Sequence, residues 1–443
     1  MIGNGGFSAK DMSMTSRYCD RITRRDSLQV GALGLTGLTT ASALQPALAT
    51  DDARATADAV LFVNLGGGPA HLDTLDMKPD GPSETKGEFK PIQTNLPGLL
   101  ACEHMPKFAE VADQFTLLRG ISHTVGDHPQ GQAYISTGNR PTPALQYPSL
   151  GSVVTRELPG DPDLPPYMAI PDTEWTAGYM GDGFGPFKTN AVPKPGQPFA
   201  VRGITLPEGL TVEKVARREQ LLSKLNRTFR EADTNSQLLE ALDTFSRQAY
   251  SMITSKRTME AFDVSGEPES IQNLFGADEL GQSMLLSVRL IESGVKFITV
   301  TNTGWDTHLD NFAGHKRLIP PLDNAITATL TALREKGLLE RTLVIIMGEF
   351  GRTPKINQNI GRDHYPRVNW SLMAGGGVHP GQLIGATDSG GESPTDDTDI
   401  HPDDIGASIL HALGIDHHKA YYTKTNRPVS LVPEGRVIRE LFG

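Results

Sequence analysis

Cysteine is nearly absent from this chain, which holds two in 443 residues. Cys19 lies in a segment that reads as removable, which leaves Cys102 alone. No internal disulfide is then available even in an oxidising compartment, and stability has to come from packing, with or without a metal. Basic charge is also short: 41 lysines and arginines face 52 acidic residues, for a formal charge of -11. A surface that acidic is poorly suited to holding nucleic acid by its phosphates. Internal repeats and low-complexity tracts are missing too. So is a long apolar run, because the N-terminal stretch 28–44 carries Gln29, three glycines and several hydroxyl side chains. That is too little apolar bulk to hold a bilayer, so no stable membrane anchor is expected.

What the N-terminus does contain is Thr23-Arg24-Arg25-Asp26-Ser27-Leu28-Gln29, followed by a weakly apolar stretch ending at Ala47-Leu48-Ala49. A charged region, an apolar region and an A-x-A cleavage site in that order make 1–49 a twin-arginine signal peptide. The mature protein is therefore expected in the periplasm or outside the cell. The segment carries five basic and three acidic residues, so its removal moves the formal charge from -11 to -13.

The rest is long enough for one large α/β domain with an insertion, or for two domains. Short β-rich runs, Val60-Leu61-Phe62-Val63, Phe115-Thr116-Leu117-Leu118, Phe297-Ile298-Thr299-Val300 and Leu343-Val344-Ile345-Ile346-Met347, suit strands covered on both faces. Amphipathic helices are predicted over 282–293 and 318–336, the second closed by Gly337. This alternation predicts a doubly wound, mainly parallel sheet. Residues 206–275 are charged and helical in pattern, with Val215, Leu222, Leu225 and Phe229 on one face, and are expected to form a helical insertion. They would divide the core into 50–205 and 276–443. The Pro- and Gly-rich stretch 140–205 reads as long surface loops.

In open parallel sheets the ligand site lies beyond the carboxyl ends of the strands. The residues that follow each predicted strand here are rich in metal-ligand types. Asn64-Leu65-Gly66-Gly67-Gly68-Pro69-Ala70-His71-Leu72-Asp73 follows the first. Its glycines lack the Gly-Lys-Ser/Thr ending of a P-loop and read better as a tight turn than as a phosphate cradle. His71 and Asp73, two apart, would point to one side in extended backbone. His123, Asp127 and His128 follow the second strand. Asp306 and His308 follow the Phe297 strand, and Glu349 and Arg352 the Leu343 strand, with Gly361-Arg362-Asp363-His364 in a later loop. Any one of these taken alone is more often a turn or capping residue than a ligand. Their joint placement at four strand ends points to a metal site using some of them. Arg352 reads equally as a fork for a tetrahedral oxyanion and as a loop-ordering salt bridge, for instance to Glu349. His104, His379, His411, His417 and His418 have no such neighbours and read as structural.

Taken together, GGGPAHLDTLDMKP, GWDTH, GEFGRTP and GRDH resemble a bacterial family of exported, sulfatase-like proteins within the alkaline-phosphatase superfamily. The resemblance spans nearly the whole mature chain. It implies that superfamily's α/β fold and a metal-dependent hydrolase acting on a phosphate or sulfate ester, that is, on a small anionic substrate. Zn²⁺ or Mn²⁺ would suit the nitrogen and oxygen ligands. The segment from Asp127 to Thr137-Gly138 resembles the superfamily's nucleophile helix, which puts His128 in the nucleophile's slot as ligand, general base or nucleophile. The formylglycine signature is absent. The resemblance further implies one preserved metal site from Asp306, His308 and His364, with His123, His128, Asp73 and Glu349 as replacement ligands and Arg352 stabilising the transferred group. A binding or scaffold protein that keeps the fold without the chemistry is the alternative.

Overall fold

In the computed structural model, residues 55–443 are described apart from 159, 162, 198, 200, 202–213, 215–216 and 218–249. The expected signal peptide and most of the expected helical insertion lie outside the described residues. The described end of that insertion, 250–275, is helical, with helices at Lys256–Phe262 and Glu269–Phe275.

Eight strands form one sheet: β1 (Ala59–Gly66), β2 (Thr116–Ile121), β3 (Tyr167–Ile170), β4 (Phe187–Lys188), β5 (Phe297–Thr303), β6 (Thr342–Met347), β7 (Asn369–Ala374) and β8 (Gln382–Ile384). Their spatial order is β8-β2-β7-β6-β1-β5-β3-β4. Every pairing is parallel except those of β7, which runs antiparallel to both β2 and β6. β1 is central, flanked by β5 and β6, and all eight of its residues are buried. Leu61, Val63 and Leu65 enter one hydrophobic core while Val60 and Phe62 enter the other, as the two-residue period of a strand requires. Both faces are therefore covered, and this is why the run lacks polar alternation.

The principal helices are α1 (His128–Thr137), α2 (Leu150–Glu157), α3 (Glu279–Glu292), α4 (Asn311–Glu335) and α5 (Pro402–Ala412). Helices α3 and α4 pack on one face of the sheet and α2 and α5 on the other, completing the doubly wound arrangement. Helix α4 starts seven residues before the predicted Leu318. Pro320 and Pro321 lie inside it and obscure its apolar period in the sequence.

The stretch 140–205 is not only loop, as its proline and glycine content suggested. It supplies α2, whose Ser149 N-cap accepts from Ser152 N, and the buried strand β3 and half-buried strand β4 that finish one edge of the sheet. β3 is four residues long, too short to carry a periodic signal.

Candidate metal centre

The loops beyond the carboxyl ends of β1, β5 and β6 meet the start of α1. The glycines after β1 make the meeting possible. Gly67 and Gly68 have φ of +110° and +75°, and a Cβ on them would fall 2.3 Å from Asp306 N and 2.2 Å from Phe350 O. Only glycine allows three loops to come so close. The Gly67 amide does find an anion, but it is the protein's own: it donates to the Glu349 carboxylate at 2.9 and 3.2 Å.

Helix α1 presents His128 in its first turn. Asp127 caps the helix, accepting from Gln130 N, with Pro129 next in line, and Gly138 closes it at φ +65°. Glu349, fully buried, accepts from His128 Nδ1 at 2.5 Å. That hydrogen bond, aided by the charges of Glu349 and Asp306 and opposed by burial, raises the His128 pKa above the usual imidazole value.

Two further histidines are held in the same way. His308 Nδ1 donates to Asp363 Oδ1 at 2.6 Å, and His364 Nδ1 donates to the Gly126 carbonyl at 2.8 Å. The short antiparallel pairing of His364–Tyr365 with Gly351–Arg352 fixes the backbone behind His364. A carbonyl or carboxylate can only accept, so in each of the three rings the partner assigns the proton to Nδ1 and leaves the Nε2 lone pair free.

All three Nε2 atoms turn toward the carboxylate of Asp306. His128 Nε2 lies 3.2 Å from Asp306 Oδ2, His308 Nε2 lies 3.2 Å from Oδ1, and His364 Nε2 lies 3.4 Å from Oδ1. The His308 and His364 Nε2 atoms are 2.9 Å apart. Ligand atoms of His128, Asp306 and His364 all lie within 4.8 Å of one another. His128 Nε2 is shut off from solvent and makes no hydrogen bond. Lone pairs and a carboxylate crowded this closely repel unless a cation or added protons sit among them. The donor set of imidazole nitrogens and one carboxylate, with each imidazole oriented from behind, is of the kind that holds a metal ion.

Arg352 supplies a fixed positive charge. It has no exposed surface, and Nη2 donates to Asp306 Oδ1 at 2.6 Å. Its other donors go to backbone carbonyls of Gly67, Gly68 and Arg362. Arg352 makes a loop-ordering salt bridge in this structure, with Asp306 rather than Glu349 as partner. Burial raises the Asp306 carboxyl, but the Arg352 hydrogen bond and the charges of Arg352, His128 and His308 outweigh it, and the net shift is downward. His364 is lowered, first by burial and then by the neighbouring His128, Arg352 and His308 charges.

Three expected ligands are not brought into this cluster. His123 is spent at both nitrogens, with Nε2 on the Glu349 carbonyl at 2.7 Å and Nδ1 accepting from Val125 N, and burial lowers its pKa to about 4. Asp73 is held by Arg362 through two oxygens at 2.7 and 2.9 Å and accepts from Asn311 as well. His71 is buried with Nε2 on the Gly391 carbonyl. Conversely, Asp363 orients His308 although the sequence reading passed over it. Its position beside His364 in Gly-Arg-Asp-His was the available signal.

A family model described as "Protein of unknown function (DUF1501)" matches residues 57–442. No curated protein matches the chain. Among solved structures it is similar to PsFucS1 sulfatase from Pseudoalteromonas sp., at 13% identity and TM-score 0.40, covering 95% of this chain and 76% of that one. It is also similar to the lipoteichoic acid synthase LtaP from Listeria monocytogenes (8%, TM-score 0.37, 83% and 77%). A third is the alkaline phosphatase of the Antarctic bacterium TAB5 (10%, TM-score 0.35, 82% and 99%). Among the described residues no helix is long and apolar enough to cross a membrane.

Proposed function

From the premise that the chain belongs to the DUF1501 family, whose description assigns no reaction, we propose that it is an exported, metal-dependent hydrolase of a phosphate or sulfate ester. The observation that carries this reading is the convergence of three imidazole Nε2 atoms, each with its Nδ1 proton tied down, on the Asp306 carboxylate. The sequence motifs resembling the alkaline-phosphatase superfamily support it independently. Asp306, His308, His364 and His128 would hold the cation. When bound, Zn²⁺ or Mn²⁺ supplies polarisation of the ester oxygen and acidification of water.

The protein's own residues prepare that chemistry. Glu349 strengthens the basicity of His128, whose Nε2 is placed to serve as ligand or to take a proton. Asp363 fixes the tautomer of His308. Arg352 locks Asp306 in place and compensates its charge. Signal-peptide export through the twin-arginine route fits a site assembled from distant strand ends, since that route carries cargo already folded. A small anionic ester is the proposed substrate, with neither nucleic acid nor membrane as partner.

One feature favours the second reading, a scaffold that keeps the fold. Arg352 already pairs with Asp306, and a proton shared between His308 and His364 would hold the cluster together without an ion. Elemental analysis of the purified protein separates the two. At least about half an equivalent of tightly bound transition metal is expected, and clearly less overturns the hydrolase. A panel of chromogenic phosphate monoesters, diesters and sulfates then reads out the reaction.

A further inference from the structure

Beside His128 the surface opens into a cavity of about 300 Å³, the lower end of the range for small-ligand sites. Three elements build it at the carboxyl ends of β3 and β5. Helix α1 contributes His128 and, one turn on, Gln132, whose carbonyl oxygen accepts from Asn64 at 3.1 Å. β5 contributes Thr301 and Thr303, which share a face of the strand by its two-residue period. The loop after β3 contributes Asp172 and Glu174.

Apart from the His128 imidazole, the ionisable side chains in this wall are both carboxylates. Asp172 is partly compensated by Lys188, whose Nζ lies 2.7 Å away, whereas Glu174 is exposed and forms no ion pair among the described residues. Among the described residues no lysine or arginine lines the cavity, though Lys188 reaches Asp172 in its wall, and Arg352, the cation nearest the centre, is fully buried with its donors committed. The rest of the wall is made by Pro129, Gln132, Thr173, Thr301 and Thr303, with no aromatic side chain among the described residues other than the His128 ring. An ester whose anionic end sits at His128 and Asp306 would thus extend its alcohol half into a mostly apolar cleft with two carboxylates, only one of them paired with a lysine among the described residues.

We propose that this cleft receives the alcohol half of the ester and selects one bearing a positive charge, an ammonium group. The proposal deepens the hydrolase reading and rests on its placement of the anionic end. Carboxylates facing an ammonium gain Coulomb energy, whereas a carboxylated alcohol would bring like charges together in a partly enclosed space.

The test uses the full-length, Mn²⁺-loaded protein with three probes of similar size: O-phosphoethanolamine, glycerol 1-phosphate and 3-phosphoglycerate. Affinity is measured by calorimetry and hydrolysis by phosphate release, for the wild type and for Glu174→Lys, a substitution at an exposed position that the fold tolerates. Affinity is expected to fall in the order given, by about fivefold from first to last. Glu174→Lys should reverse the first and last. Equal affinities in the wild type, or an order that Glu174→Lys leaves unchanged, overturn the proposal. Hydrolysis of all three at equal efficiency removes the charge selection and leaves the hydrolase standing. The expected binding order without any hydrolysis keeps the cleft assignment and removes the hydrolase.

Discussion

Two arginine–aspartate pairs lie beyond the strand ends, Arg352 with Asp306 and Arg362 with Asp73, and they differ in what surrounds the carboxylate. Both guanidinium groups are completely buried. The Asp73 side chain is 1% exposed, takes a two-point hydrogen bond from Arg362 and another from Asn311, and sits near His315, whose two nitrogens are both paired. Asp306 is 45% exposed, receives one bond from Arg352, and faces three imidazole nitrogens that bring it no proton. The same two residue types make a closed structural clamp in one place and an open, electron-rich cluster in the other. The distinction is one of accounting: where every donor meets an acceptor nothing is left to bind, and where lone pairs converge unshared a cation is called for.

The sharpest way to break this comparison is to remove each aspartate. Asp73→Ala leaves the Arg362 charge buried and unpaired, and should cost about 3–5 kcal/mol of stability in denaturant unfolding. A loss under about 1 kcal/mol would show that the clamp is not closed. The clamp side also carries a pH signature. Burial holds the pKa of His315 down at about 4, against an ordinary 6.5, so the folded state keeps the ring neutral while the unfolded chain takes up a proton. The unfolded state therefore binds more protons between about pH 6.5 and 4. The contribution of His315 is fully present above that window and is lost as the pH falls through it, by about 3 kcal/mol. His315→Gln should flatten that part of the stability profile, and an unchanged slope would refute the assignment.

On the open side the readout shifts from stability to metal. Asp306→Asn, which keeps an acceptor for the fully buried Arg352 guanidinium, is expected to lower Mn²⁺ or Zn²⁺ affinity by about 100-fold with a smaller loss of stability than Asp73→Ala. Retained metal would sink the site, and collapse of the fold would make Asp306 a second clamp. A gentler change is Asp363→Asn, which keeps the shape but weakens the hold on His308 Nδ1. A 10-fold or somewhat larger loss of metal affinity is expected, and no loss would detach Asp363 from the centre.

Legibility in the sequence followed the physics of each element. β1, β2, β5 and β6 were readable because strands covered on both faces must be continuously apolar. β3 was hidden by its four-residue length amid prolines, and β7 by Asn369 and Ser371, whose polar groups are paired or buried only once the sheet exists. In the site, the rule that ligands gather at strand ends found His128, Asp306, His308, Glu349 and His364. The same rule found His71, Asp73 and His123 with equal force, because it sees residue type and position but not partners.

By itself, then, the sequence determined that the chain folds as a doubly wound, mainly parallel sheet and that its imidazoles and carboxylates collect beyond the carboxyl ends of the strands. Apolar runs and turns are local properties, and local properties are written in order along the chain. Only the tertiary structure decided which of those groups are spent on one another and which are left facing a common point. That depends on contacts such as Arg362 with Asp73, separated by 289 residues, and Glu349 with His128, separated by 221. A hydrogen bond between distant residues leaves no mark in the sequence near either of them, yet it settles whether a histidine holds the fold or remains available for chemistry.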